Sequence, residues 1–294
     1  MRYFRWLILA VALSAAAGFW ITRARPLPED ALAELSGDAK RGESVYWAAG
    51  CASCHTAPDA EDKLVLAGGQ RFVSDFGTFI APNISPDPQH GIGGWTLAEF
   101  ASALKRGVSP EGRHYYPAFP YTAFAKMEDQ DIADLWAFWQ GLPASDVPSQ
   151  PHEVGFPFSI RRGVGLWKQL YLNKNWVMAG GLDPQLERGR YLVEALAHCG
   201  ECHTPRDALG GLDTARWLAG APNPSGKGQI PALTPDKLSW GAGEIAYYLE
   251  TGFTPDYDSA GGHMVAVVEN FGKLTPEDRA AVAAYVKAVP AVGK

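Results

Sequence analysis

All four cysteines of this chain fall in two copies of one five-residue pattern, and no other feature constrains the fold as tightly. The copies are Cys51-Ala52-Ser53-Cys54-His55 and Cys199-Gly200-Glu201-Cys202-His203. Cys-x-x-Cys-His is the pattern on which a haem is attached covalently. Its two thiols add across the porphyrin vinyl groups, and the histidine that follows is placed to bind the iron from one side. Other uses of the cysteines fit less well. A four-thiolate zinc site leaves both histidines without a role and must close a loop far longer than zinc sites usually span. A thioredoxin-type redox pair needs a βαβ pattern, of which there is no sign. Structural disulfides gain nothing from the histidines.

A chain of 294 residues is comfortable for two domains, and this one repeats itself around the two motifs. Pro82-Asn83-Ile84-Ser85-Pro86-Asp87 answers Pro231-Ala232-Leu233-Thr234-Pro235-Asp236. Trp95 stands as far before Gly107 as Trp240 does before Gly252, and 126–140 runs in register with 273–287. Caps and glycines predict helices over 39–49, 96–106 and 128–140 in one half, and over 184–197, 243–251 and 276–289 in the other. Asp38 is the expected N-cap of the first. Thr275, with Pro276 at the first helical position, opens the last. Strand signals are weak. The expected fold is all-α, with two tandem domains over 26–142 and 182–294 joined by a connector over 143–181. The connector is proline-rich and then aromatic, with Phe156, Phe158, Trp167, Tyr171 and Trp176. It is expected to pack across both domains and bury Trp167; a partner-docking surface is the other reading.

Residues 1–25 form a targeting or anchoring segment. Arg2 and Arg5 precede a run over 6–21 that is apolar apart from Ser14 and Gly18. Ala15-Ala16-Ala17 offers a cleavage site for a signal peptide. The run continues through Phe19-Trp20-Ile21, which favours a retained membrane anchor. Both readings export the rest of the chain. The formal net charge is −6, and all 32 acidic residues lie beyond residue 25. That balance does not suit a nucleic-acid partner. It suits docking onto a basic redox partner, or solubility alone.

The order of helix, haem motif, Pro-Asn-Ile-Ser-Pro-Asp loop, Trp-led helix, Arg113-His114-Tyr115-Tyr116-Pro117-Ala118-Phe119-Pro120-Tyr121 and closing helix resembles a class I cytochrome c domain. The two halves are similar to domains of the multihaem cytochrome subunits of membrane-bound alcohol and gluconate dehydrogenases, over almost all of 38–290. Those subunits often carry three haems; this chain has two motifs and no dehydrogenase catalytic domain. The resemblance implies two covalently bound haem c groups, held by Cys51, Cys54 and His55 and by Cys199, Cys202 and His203. It implies single-electron transfer and no bond chemistry. The expected route runs from a periplasmic or membrane dehydrogenase to a downstream cytochrome or terminal oxidase, on the periplasmic side of a bacterial inner membrane. The alternative is a peroxidase-like dihaem enzyme with an open iron in the first domain.

An electron-transfer haem needs a second axial ligand, and methionine serves well. Met264, ahead of the last helix, is where class I domains present it. The matching position in the first half is Phe119, so the expected ligand there is displaced to Met127, which aligns with Leu274. A packing role for Met127, His114 as ligand, and a vacant iron are the other readings. Met178 is expected to pack and His263 to face solvent. Trp95 and Trp240 either donate an indole N–H to a propionate or fill the core. Gly42 and Gly189 are expected where first and last helices touch. Arg41, Arg106 and Arg206 could pair with propionates, with the solvated surface as the default expectation.

Overall fold

The structure, a computed structural model, describes residues 2–224, 226 and 228–292. In the first half, helix α2 (Ala39–Ala48) starts where the Asp38 carboxylate accepts the N–H groups of Lys40 and Arg41. It stops before Gly50, whose φ of 65° turns the chain into the short motif helix α3 (Cys51–His55). Helix α4 (Leu97–Arg106) begins in a capping box formed by Thr96 and Glu99 and ends at left-handed Gly107. A turn of helix, α5 (Tyr121–Phe124), precedes the closing helix α6 (Asp129–Trp139).

The helices α2 and α6 cross at Gly42. A Cβ there would lie 2.0 Å from the carbonyl oxygen of Asp134, so only glycine permits the approach. Arg41 locks the crossing. Its Nε donates to Asp134 Oδ2 at 2.7 Å, and that carboxylate is fully buried.

The second half repeats the plan. Helix α8 (Pro184–Tyr191) is capped by Asp183, and α9 (Gly200–His203) carries the second motif. Helix α10 (Ala242–Thr251) follows, then α11 (Met264–Phe271), then α12 (Pro276–Ala288), which Thr275 caps. Gly189 is the counterpart of Gly42, its absent Cβ 2.1 Å from the Ala281 carbonyl. Arg188 pairs with Asp278 at 2.7 Å. The predicted helix over 184–197 changes to a π-helical turn over Leu192–Leu196, which seats the buried Glu194.

Two antiparallel hairpins, which the helical patterns gave no sign of, stand beside the helices. Strand β1 (Arg71–Ser74) pairs with β2 (Gly77–Ile80), and β3 (Ala221–Pro222) with β4 (Gln229–Ile230). A continuous apolar core runs through both halves, from Tyr46 and Trp139 to Leu192 and Tyr285.

The connector touches both halves. Its start is laced to the first half's loop, where Asn83 Nδ2 donates to the carbonyls of Ser145 and Val147, each at 2.8 Å. Its helix α7 (Gly163–Tyr171) sets Trp167 edge-on to Tyr121, and the indole donates to the Leu209 carbonyl at 3.0 Å. Trp167 is half-buried, not buried, because α7 leaves its Leu166 and Leu170 side open to solvent. Met178 packs against the core.

Helix α1 (Arg2–Ile21) has no buried residue and, among the described residues, is the one helix long and apolar enough to cross a membrane. Its 20 residues span about 30 Å, the thickness of a bilayer's hydrocarbon core.

Candidate functional site

Both motif histidines are held the same way. His55 Nδ1 lies 2.9 Å from the carbonyl oxygen of Pro82, and His203 Nδ1 lies 2.8 Å from that of Pro231. A carbonyl only accepts, so each Nδ1 carries the proton and each Nε2 keeps a free lone pair. Burial pulls the His55 imidazole down to about 4 and lowers His203 as well, so both rings are neutral near pH 7. A neutral imidazole with its back nitrogen fixed by a carbonyl is the form in which histidine binds metal. The two prolines open the repeated loops, so the duplication seen in sequence is a duplication of this bond.

The four thiols are free. Burial pushes Cys51 and Cys199 up to about 12 and Cys54 up to about 11. The Cys202 thiol adds to the rise at Cys54, which puts the second cysteines of the two motifs within electrostatic reach. Two free thiols and a neutral, oriented imidazole at each site fit a covalently attached haem.

The structure also brings the two motifs together, which sequence did not reveal. Ser53 Oγ accepts from Asn270 Nδ2 at 2.8 Å, and Glu201 Oε1 accepts from Thr122 Oγ1 at 2.8 Å. Ser53 and Glu201 are the third residues of their motifs. Thr122 lies on α5 and Asn270 on α11, the helices before the closing helix of each half. Each motif is therefore gripped by the other half, in an approximate two-fold relation. Phe124 of α5 reinforces it with its ring 5.5 Å from that of His198.

The candidate second ligands are placed unequally. Met264 is half-buried at the start of α11, a helix where a loop was expected. His263 is exposed, as expected, and its ring stacks 6.2 Å from Phe72 of the first half. Met127 is 2 % exposed, and its N–H donates to Phe124 as that of Leu274 does to Phe271. It thus sits in the geometry of its aligned leucine. His114 is turned elsewhere: Nε2 lies 2.9 Å from the Thr22 carbonyl, and Nδ1 lies 3.1 Å from Lys168 Nζ.

Trp95 and Trp240 are half-buried against the core. Arg41, Arg106 and Arg206 lie at the surface as expected, and two of them are also ion-paired there: Arg41 with Asp38 and Asp134, and Arg206 with Glu201. Other residues escaped the sequence reading. Glu194 accepts the N–H groups of Val177 at 2.6 Å and Met178 at 3.0 Å and the hydroxyl of Tyr285 at 2.6 Å. The Tyr285 oxygen in turn accepts from Trp217 Nε1. An acid inside the apolar run Leu192-Val193-Glu194-Ala195-Leu196 was the one available signal. Lys168 donates to the carbonyls of Arg106 and Gly107 as well as to His114, and burial pulls it down to about 7.

Comparison with known proteins agrees with this geometry. The family model for cytochrome c matches twice, over residues 39–143 and 186–290. The chain is 58% identical over 284 residues to a diheme cytochrome c-type protein of Cereibacter sphaeroides, covering 96% of each. It is 36% identical to the fructose dehydrogenase cytochrome subunit of Gluconobacter japonicus, covering 99% of this chain and 61% of that one. It is 34% identical to the cytochrome c subunit of the quinone alcohol dehydrogenase of Gluconobacter oxydans, covering 86% and 55%. The chain thus spans less than two thirds of the length of these dehydrogenase subunits.

Proposed function

Because this chain belongs to the cytochrome c family, with one domain in each half, we propose that it carries single electrons from a periplasmic or membrane dehydrogenase to a downstream cytochrome or terminal oxidase. Its cofactors are two covalently bound haem c groups. When bound, haem c supplies a one-electron iron couple.

The protein's own residues attach, orient and shield. Cys51 and Cys54 tether one group, and Cys199 and Cys202 the other. His55 and His203 present Nε2 to the iron because Pro82 and Pro231 hold their Nδ1 protons. Met264 would hold the iron of the second group and Met127 that of the first, each supplying a thioether sulfur. No residue is assigned an acid–base or nucleophilic role. Helix α1 holds the protein on the periplasmic face of the inner membrane, beside its redox partners.

The observation that carries this reading is the reciprocal grip of the two motifs, Ser53 on Asn270 and Glu201 on Thr122. A carrier that accepts at one haem and delivers from the other needs its two sites adjacent and rigidly related. The dehydrogenase subunits among its relatives supply the class of donor. Rapid mixing of the oxidised protein with a substrate-reduced, quinone-dependent dehydrogenase tests the proposal. Reduction of both haems within the enzyme's turnover time supports it. Reduction by dithionite alone contradicts it.

A further inference from the structure

The outer face of the connector carries a second apolar surface, set directly beside the end of α1. Phe156 is 83 % exposed, Leu170 60 %, Leu166 56 % and Ile160 55 %. On α7 these leucines are not scattered. At about 100° per residue, Gly165, Gln169 and Arg162 share one stripe, and Leu166 and Leu170 lie next to it, opposite the buried side of Lys168.

That stripe is the one that grips α1. A Cβ on Gly165 would lie 2.3 Å from the Thr22 carbonyl, and Gln169 Nε2 lies 3.5 Å from the Ile21 carbonyl. Arg162 donates to the Phe19 carbonyl and sits with its guanidinium 3.7 Å above the Phe19 ring. His114 holds the Thr22 carbonyl from domain 1. The end of α1 is therefore built into the fold, and the exposed leucines continue outward from it.

Charge follows the same surface. Residues 2–25 and 156–182 hold eight of the chain's 26 basic side chains and none of its 32 acids. The acid just before this stretch, Glu153, is paired with Arg71. The rest of the molecule is strongly acidic.

We propose that this connector face rests on the bilayer that α1 enters, with Phe156, Ile160, Leu166 and Leu170 among the lipid headgroups and Arg23, Arg25, Arg161 and Arg162 against anionic phosphates. The proposal rests on the reading of α1 as a membrane anchor. Exposed apolar side chains on a segment that carries arginines and no acids of its own match an anionic interface, and continuity with α1 puts them at its depth. The consequence is orientation: two contacts fix which side of the protein faces the membrane and which faces its partners.

The test uses the full-length dihaem protein in nanodiscs of phosphatidylethanolamine and phosphatidylglycerol. Its native cysteines are taken up in thioethers, so one added cysteine carries one nitroxide. Labels at Leu166→Cys and Phe156→Cys are compared with Val11→Cys in α1 and with Tyr257→Cys, whose parent side chain is 99 % exposed. Collision with oxygen and with a water-soluble nickel chelate reports depth. The expected result is Val11 deep, Leu166 and Phe156 at the headgroups, and Tyr257 in water. Phosphatidylcholine alone should expose Leu166 and Phe156 several-fold more to nickel and leave Val11 unchanged. Val11 deep with Leu166 and Phe156 fully open to nickel overturns the docking and leaves the anchor standing. Val11 open to nickel overturns the anchor reading itself. Shielding of Leu166 and Phe156 that requires a second protein or a higher protein concentration, and not lipid, also overturns the proposal.

Discussion

Asn270 Nδ2 donates to Ser53 Oγ at 2.8 Å, joining a helix of the second domain to the interior of the first domain's haem motif. The bond from Thr122 to Glu201 answers it from the other side. Each is worth about 1 kcal/mol. Asn270→Ala combined with Thr122→Ala should loosen the domains from each other without unfolding either. Interhaem equilibration after flash reduction should slow, and denaturant unfolding followed at the two haems should separate into two transitions. Unchanged kinetics and one transition would show that the apolar core alone sets the arrangement.

Gly42 and Gly189 have no room for a methyl group, with carbonyl oxygens 2.0 and 2.1 Å from the position a Cβ would take. Gly42→Ala and Gly189→Ala should each cost about 3 kcal/mol through overpacking, lowering the midpoint of unfolding and the yield of haem-loaded protein. Gly243→Ala, where a Cβ meets nothing within 4 Å, serves as the neutral control.

The two methionines are separable by spectroscopy. Met264→Leu and Met127→Leu should each remove half of the methionine-to-iron charge-transfer absorption of the oxidised protein, and the double variant all of it. Met127 shares the backbone geometry of Leu274. An intact spectrum in a folded Met127→Leu variant would therefore assign that residue to packing.

Lys168 predicts a pH dependence. Burial brings its folded-state pKa from 10.5 to about 7. Between those values the unfolded chain binds the extra proton, so stability rises with pH across that window. The slope is at most about 1.4 kcal/mol per pH unit from this group. Below pH 7 both states are protonated and its contribution to the slope vanishes. Denaturant unfolding at pH 7 and pH 9 should show the rise in the wild type and its loss in Lys168→Met.

What could be read from sequence was local or repeated. The motifs, the caps at Asp38 and Thr275, the glycines at the helix crossings and the paired loops all follow from short patterns or from comparing one half with the other. What could not be read depends on contacts made only after folding. Asp134 looks like a surface acid of an amphipathic helix until Arg41 buries it. His114 resembles a haem ligand in sequence, yet it ties the end of α1 to Lys168. The π-helical turn at Glu194 answers backbone donors of a connector that lies far from it in pattern. The grip between motifs is invisible because Ser53 and Asn270 follow no periodicity.

The central claim is that the protein holds two six-coordinate haems that exchange electrons and perform no chemistry. A spectropotentiometric titration with electron spin resonance at each step tests it most directly. The account predicts two low-spin ferric signals, two electrons taken up reversibly per chain, and no binding of carbon monoxide by the reduced protein. A high-spin signal with carbon monoxide binding, or uptake of a single electron per chain, would contradict it.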